Sequence, residues 1–327
     1  MDITTLDYII KRLIQGSWVS GEEIAKELDI SRTWVWNQIN QLKVYGFEIR
    51  SSAKKGYKLI STPDVLFPSL IKSYLHTQYM GQHIYFFENL SSTQDKAKEL
   101  AQKGAEQGSC VLCEFQDKGR GRRKRSWIHV PYKSIAISII LRPDVVPSQI
   151  MQIPIVIGVA LCEAIRDHTS LSVELKWPND LLVNGKKLAG ILVEMAGDSE
   201  KTHYIIAGIG INVNLTEGDI PDDLKDIATS IFIETKKNIH RPKLIGCILN
   251  YIEKWYNTYL KKGFLPVRDK WLKYNCVIGK EIDVHLSDMT ISAKAMDLDN
   301  LGNLIVLDKD KNTKTLMYGD ISIRTKN

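Results

Sequence analysis

A chain of 327 residues exceeds one average domain and can bury a full core, so two or three domains are expected. Its 44% hydrophobic and 25% charged residues match an ordinary soluble globular protein, and no run approaches the roughly 18 consecutive apolar residues of a membrane span. The amino terminus lacks a signal pattern, so the expectation is a cytoplasmic protein with no membrane partner, and the net charge of +6 permits a polyanionic partner without demanding one.

In chain order, Leu6, Ile9, Ile10, Leu13 and Ile14 recur at the spacing of one apolar helical stripe. Ser20 is a good N-cap for a second short helix that turns Ile24, Ala25 and Leu28 inward, and Asp29-Ile30 makes a tight turn. Ser31 caps a third helix with Val35, Ile39 and Leu42 inward, leaving Arg32, Thr33, Asn37, Gln38 and Gln41 outward. This pattern predicts a helix-turn-helix, followed by a hairpin (Phe47 to Arg50, then Gly56 to Ile60) that forms a basic wing. Asn37, Gln38 and Gln41 carry groups that pair with base edges; Arg32, Arg50, Lys54, Lys55 and Lys58 suit phosphates. Trp34 and Trp36 are unusual on such a face and receive no role. A three-helix interaction module without DNA is the bland alternative.

Pro63 marks a boundary. Beyond it, helical segments (Thr93 to Lys103, Gln149 to His168, Arg241 to Lys261) mix with strand-like runs (Ser109 to Phe115, Ile135 to Leu141, Tyr204 to Ile211), predicting an α/β or α+β domain. From about Tyr274 five short alternating segments (Glu281 to Leu286, Ile291 to Leu298, Leu304 to Leu307, Lys314 to Tyr318, Ile321 to Arg324) predict a small β-barrel. The five cysteines are an odd, scattered set that fits reduced thiols. Cys110 and Cys113 have C-x-x-C spacing, but they lie in the apolar run CVLCEF with no second ligand pair nearby, so a metal or redox site is disfavoured.

Residues 118 to 125 carry six cations in eight positions. Glycines interleaved with arginines cannot pack a core; in Gly119-Arg120-Gly121-Arg122-Arg123-Lys124-Arg125-Ser126-Trp127 they make a loop able to wrap a phosphate or carboxylate. A nucleic-acid-binding loop explains the charge equally well; Trp127, able to stack on adenine, favours a nucleotide site. Lys176-Trp177-Pro178-Asn179-Asp180 leads into a hairpin whose Asn184-Gly185 turn signals type I′. Strict alternation would put Lys187, Ala189, Ile191 and Val193 on one face, with Ala189 leaving room for a ligand whose carboxylate or phosphate meets the lysine. A solvated strand end is the usual reading of such a lysine. Gly208-Ile209-Gly210-Ile211-Asn212 is a weak phosphate signal, more often tight strand packing, and Ser91-Ser92-Thr93-Gln94 opens a helix whose free N–H groups suit a polar ligand head, although a plain N-cap is commoner.

SSTQ, GRGRRKRSW, KWPND, KKLAGILVE and GIGINVN, in this order behind a helix-turn-helix, resemble the bacterial biotin protein ligases of the bifunctional repressor type over essentially the whole chain. The resemblance implies an α+β multidomain protein: a winged helix-turn-helix (1–62), a catalytic domain similar to class II aminoacyl-tRNA synthetases (63–273) and an SH3-like barrel (274–327). It implies that biotin and ATP, with Mg²⁺, give biotinyl-5′-AMP, which biotinylates a lysine of biotin carboxyl carrier protein and acts as corepressor for a homodimer on palindromic operator DNA. By matching motifs, Ser92, Thr93, Gln94 and Gln116 hold the ureido ring, and Arg120, Gly121 and Arg122 line biotin and the adenylate phosphate in a loop that orders on binding. Lys187 contacts the carboxylate and then the phosphoryl oxygens, with Arg122 as its catalytic partner. Trp127, Lys176, Asn179, Asp180 and Asn212 serve the nucleotide. Arg32, Thr33, Asn37, Gln38, Gln41, Lys54 and Lys55 are the DNA-binding set. A lipoate-type ligase and a ligand-sensing repressor with weak ligase activity are the competing readings. Two departures from the family stand out: Lys124 where the last glycine of GRGRRG is usual, and Ile128 to Ser134 where a Ser-Pro-x-Gly turn is usual.

Overall fold

The computed structural model describes residues 3–198, 201–285, 289–317 and 320–323. The chain divides into two compact units, Met1–Leu75 with His240–Gly246, and His76–Ile239 with Cys247–Asn327.

In the first unit, α1 (Ile3–Ile14), α2 (Gly21–Leu28) and α3 (Arg32–Val44) bury Leu6, Ile9, Ile10, Leu13, Ile24, Val35, Ile39 and Leu42 in one core. The helix starts follow from local chemistry: the Ser20 and Ser31 hydroxyls accept the N–H groups of Glu22 and Trp34. Asp29 ends α2 in the left-handed conformation (φ 53°), which turns the chain sharply into α3. A hairpin follows, β1 (Glu48–Ser52) against β2 (Gly56–Ser61). Tyr57 exchanges both main-chain hydrogen bonds with Val19, at 2.8 Å each, so the hairpin is stitched to the α1–α2 connection. Gly56 is obligatory there: its φ is +87°, and a Cβ would lie 2.1 Å from the Val19 carbonyl oxygen.

Beyond Pro63 the same core continues through Val65, Phe67 and Leu70 to α4 (Pro68–Lys72), with the Phe67 ring set edge-on to Tyr45 and Phe47. Arg241, fully buried, donates its Nε to Asp64 Oδ2 at 3.0 Å and its backbone N–H to Asp64 Oδ1 at 2.8 Å.

The second unit is built on a seven-stranded sheet. Its strands are β3 (Ile84–Leu90), β4 (Cys110–Gln116), β5 (Ser134–Leu141), β6 (Glu174–Lys176), β7 (Asp180–Val183), β8 (Lys186–Gly197) and β9 (Thr202–Asn212), in the order β3-β4-β5-β9-β8-β7-β6. Only β3 and β4 pair in parallel; the other neighbours are antiparallel. On one face α5 (Thr93–Gln102) packs Ala97 and Ala101 against Val111, Ile140 and Ile206. On the other lies α6 (Gln152–Thr169), so close that a Cβ at Gly158 would be in van der Waals contact with Leu175 and Ile191.

The stretch Pro147–Thr169 that contains α6 is long and apolar enough to cross a membrane, yet it is mostly buried inside the protein, so it is the core helix of this unit. Helices α7 (Ile231–Thr235), α8 (Arg241–Lys262) and α9 (Leu265–Tyr274) follow. The chain ends in a five-stranded antiparallel sheet, β10 (Glu281–His285), β11 (Thr290–Leu298), β12 (Leu304–Asp308), β13 (Thr313–Leu316) and β14 (Asp320–Ile323), ordered β13-β12-β11-β10-β14. Leu286, Tyr318 and Arg324, the expected ends of three of these strands, lie outside the described residues. The Trp177 indole, between β6 and β7, donates to the Gly302 carbonyl at 3.1 Å, and the Gln152 amide on α6 donates to the Asn300 carbonyl at 2.8 Å, so the β11–β12 turn is held against the larger domain.

Candidate active site

A cavity of about 460 Å³ opens over the sheet, and every residue expected from the sequence to serve biotin or the nucleotide lines it. Five cations (Arg120, Arg122, Arg125, Lys176 and Lys187) face two carboxylates (Asp180 and Asp219), so the cavity carries a positive excess suited to phosphate or carboxylate.

At one end Ser92, Thr93, Gln94 and Gln116 are buried together. The Thr93 N–H, free because it heads α5, donates to Gln116 Oε1 at 3.3 Å. Ser138 on β5 donates to Thr93 Oγ1 (2.9 Å) and to Gln94 Oε1 (3.0 Å) in a shared arrangement, while Gln94 Nε2 reaches the carbonyls of Ile206 and Leu192. Both ends of the Gln94 amide are thus spent inside the protein, which makes it a brace for this cluster. Gly208 is required beneath it, since a Cβ there would lie 2.5 Å from Gln94 Oε1. Ser138 escaped the sequence reading; a hydroxyl within the all-buried strand SIAISIIL was the available signal.

Lys187 sits at the start of β8, after a turn in which Asn184 (φ 51°) and Gly185 (φ 78°) both have positive φ, as a type I′ turn requires. The expected sharing of a face by Lys187 and Ala189 is wrong. Leu181 pairs with Ala189 but Leu182 pairs with Lys187, so one residue of β8 bulges and the alternation shifts. Lys187 therefore shares its face with Gly190, where a Cβ would lie 3.3 Å from its Nζ; the open space beside the lysine comes from Gly190, and Ala189 is fully buried. The ammonium lies 2.7 Å from Asp180 Oδ1. Asn179 is tied twice to Ile191: its Nδ2 donates to the Ile191 carbonyl at 2.6 Å, and its carbonyl accepts the Ile191 N–H at 2.9 Å.

The arginine-rich segment closes on itself: the Gly121 N–H donates to the Arg125 carbonyl (2.7 Å) and Trp127 N–H to the Gly119 carbonyl (2.9 Å). Arg123 takes the left-handed conformation (φ 53°) within it. Arg120 pairs with Asp95 at 2.5 Å, a hydrogen bond that raises its already high pKa, and Arg122 approaches Asn179 Oδ1 at 3.4 Å. The Trp127 indole lies on the sheet: a Cβ at Gly210 would be 2.4 Å from its Cε2, and one at Gly190 3.1 Å from its Cζ3. Its Nε1 is buried without a protein acceptor. The segment from Ile128 to Ser134 is a tight turn with Tyr132 at φ 60°, closed by Ser134 N–H to the Val130 carbonyl, and buried His129 bonds the Glu114 carbonyl at 2.8 Å.

The opposite wall, from Leu215 to Ala228, was not anticipated because it lacks a motif. Lys133 pins it through Asp219 at 2.6 Å; burial pushes the Asp219 carboxyl up, but the bonds from Lys133 and Thr216 outweigh it and hold the pKa below its usual value. Asn212 donates its amide to the Thr229 carbonyl at 2.9 Å. Cys110 and Cys113 are buried, and burial pushes both thiols up to about 12.

In the first unit Arg32, Thr33 and Asn37 are exposed on α3, Gln38 and Gln41 are half-buried, and Lys54 and Lys55 are exposed at the hairpin tip. Trp34 is half-buried, and Trp36 is 55% exposed.

Residues 86–212 match the biotin/lipoate A/B protein ligase family, 5–58 an HTH domain and 277–324 the biotin protein ligase C terminal domain. The chain is 38% identical to the bifunctional ligase/repressor BirA of Bacillus subtilis (strain 168) over 94% of each protein. It is 27% identical to that of Escherichia coli (strain K12) over 97% of this chain and 96% of the relative. Among solved structures, biotin protein ligase from Aquifex aeolicus in complex with biotin and ATP superposes with a TM-score of 0.65 at 29% identity, covering 75% of this chain and 100% of that one. The chain therefore belongs to the family of bifunctional ligase/repressors that join a biotin protein ligase to a helix-turn-helix.

Proposed function

We propose that the protein is an ATP-dependent biotin protein ligase that also represses transcription of a biotin operon. One observation carries the reading: a single cavity gathers a buried polar cluster, five cations and an indole with an unspent N–H. Ser92, Thr93 and Gln116 meet the ureido ring of biotin, with Gln94 and Ser138 bracing them. The biotin carboxylate oxygen attacks the α-phosphorus of ATP; the bond to the bridging oxygen breaks and pyrophosphate leaves. Lys187 and Arg122 stabilise the charge that develops on the phosphoryl oxygens, and Arg120 and Gly121 close the loop over the adenylate. Trp127, Lys176, Asn179, Asp180 and Asn212 support the nucleotide.

In the second step a carrier lysine, as free amine, attacks the acyl carbon and AMP departs. Adenylation has already supplied the leaving group, so the enzyme needs no nucleophile of its own. Mg²⁺ would enter with the nucleotide and would supply charge neutralisation on the triphosphate; the cavity's two carboxylates, Asp180 and Asp219, are each paired with a lysine. The catalytic fold is read as similar to class II aminoacyl-tRNA synthetases, and the carboxy-terminal sheet as an SH3-like barrel. The functional division is 1–62 for DNA, 63–273 for catalysis and 274–327 for the terminal domain. Biotinyl-5′-AMP promotes a homodimer whose paired α3 helices meet a palindromic operator in the cytoplasm.

The test is mass spectrometry of a biotin carboxyl carrier domain incubated with the protein, biotin and MgATP. A gain of one biotin on the carrier is expected; its absence with folded protein sinks the ligase. An operator shift assay with and without biotin plus ATP tests repression at stated salt.

A further inference from the structure

Lys187 owes its place to a segment outside the hairpin that carries it. The β8 bulge leaves its main-chain groups directed away from β7, and they bond elsewhere: its N–H donates to the Ile227 carbonyl at 2.8 Å, and its carbonyl accepts the Thr229 N–H at 2.9 Å. Residues 227–229 thus run beside Lys187 as a one-residue parallel strand, and Ile227 and Ala228 also wall the cavity. Thr229 is fully buried and held twice more: its carbonyl accepts the Asn212 amide at 2.9 Å, and its hydroxyl donates to Glu234 Oε1 at 2.6 Å.

The second oxygen of that carboxylate, Oε2, accepts the Asn184 amide at 2.7 Å, in the turn just before Lys187. One side chain, on the short helix α7 set by the Ser230 cap, therefore ties together the two segments that bracket the lysine. Hydrogen bonds to a carboxylate are among the stronger ones, and the Thr229 bond is partly buried. Glu234 is not among the residues that line the cavity.

We propose that Glu234 is a positioning residue for adenylation, acting on Lys187 through Thr229 and the Asn184 turn. The inference rests on the role assigned above to Lys187. Removing the carboxylate frees residues 227–229 and the turn together, so the ammonium loses its fixed distance to the reacting phosphate while the biotin end of the cavity stays intact.

The experiment uses the full chain as wild type, Glu234→Ala, Glu234→Gln, Lys187→Ala and the Glu234→Ala/Lys187→Ala double variant. Two quantities are read: peptide hydrogen exchange, and single-turnover formation of biotinyl-5′-AMP. In Glu234→Ala, exchange should rise about tenfold or more in residues 182–190 and 224–231 alone. Adenylation should slow by about tenfold with biotin affinity little changed. Glu234→Gln, whose amide oxygen still accepts one of the two bonds, should recover much of both. In the Lys187→Ala background the further loss should shrink to less than about twofold, because residues acting as a unit are non-additive. Unchanged exchange at Lys187, exchange raised throughout the second unit, or an undiminished effect without the lysine would each overturn the proposal. Full adenylation by Lys187→Ala would instead remove the role given to Lys187, while the exchange result still judges whether Glu234 holds it in place.

Discussion

Lys187 Nζ stands 2.7 Å from Asp180 Oδ1 across the β7–β8 pair, so the cavity's central cation is oriented by a carboxylate before any ligand arrives. The pair is partly open to solvent, 37% and 21% for the two side chains, and its worth is orientation more than stability. Lys187→Ala should lower single-turnover adenylation by about a hundredfold or more while biotin binding, by calorimetry, changes far less. Asp180→Asn should cost less than Lys187→Ala. Equal losses in binding and rate would show that the lysine serves uniform binding instead.

The indole of Trp127 needs the bare backbone of Gly210. Gly210→Ala puts a Cβ 2.4 Å from Cε2, so the ring must leave the sheet. Biotin and nucleotide affinity should fall at least about tenfold, with a thermal midpoint within a few degrees of wild type. Gly208→Ala strikes Gln94 Oε1 at 2.5 Å and should weaken biotin binding more than ATP binding. Preserved affinity in both variants would mean that the sheet surface under Trp127 is not part of the site.

The exposed Lys54 and Lys55 at the hairpin tip and Asn37 on α3 should behave differently on operator DNA. Replacing both lysines by alanine should weaken all sequences alike and flatten the salt dependence by about two counterions. Asn37→Ala should instead cost about 1–3 kcal/mol on the operator only, relaxing one base position. Titrations at several salt concentrations separate the two outcomes.

Burial pushes Cys110, Cys113 and Cys162 up to about 12, so at pH 8 these thiols stay protonated. Iodoacetamide at pH 8 should therefore modify half-buried Cys247 first and leave the three untouched until denaturant is added. Peptide mass spectrometry reads this directly. Early alkylation of Cys113 would revive a reactive C-x-x-C pair.

Asp7 is raised above the ordinary carboxylate range, because desolvation outweighs the bonds from Ser69 and the attraction of Lys72 and Lys11. A folded pKa above the unfolded one means that its contribution is fully present below the unfolded pKa and is lost as pH rises through the folded value. Asp7→Asn keeps an acceptor for the Ser69 N–H, now 2.7 Å from Asp7 Oδ1. It should raise the denaturant midpoint at pH 7 and converge with wild type below about pH 3.

Much of this was legible along the chain because it is local. Ser20 and Ser31 had to cap helices, Asn184-Gly185 had to turn a hairpin, and the ordered run of motifs from SSTQ to GIGINVN announced the family. The caps and the turn are decided within a few residues by backbone sterics, whereas the family was legible through resemblance of the ordered motifs. The position of Lys187 was misjudged because a bulge is set by how two strands meet, and strict alternation is only the default.

The sequence by itself thus determined the helix-turn-helix with its hairpin, the family and thirteen of the residues that line one cavity, while strands such as β3 and β6 and the wall from Leu215 to Ala228 carried no readable signal. Only the tertiary structure decided that Gln94 braces and does not reach out, that Trp127 rests on Gly190 and Gly210, and that Ser138, Asp219 and Glu234 belong to the site's support. The reason is separation along the chain: Gln94 meets Ile206 across 112 residues and Lys133 meets Asp219 across 86, and no local pattern encodes a hydrogen bond that forms only when distant strands close into one sheet.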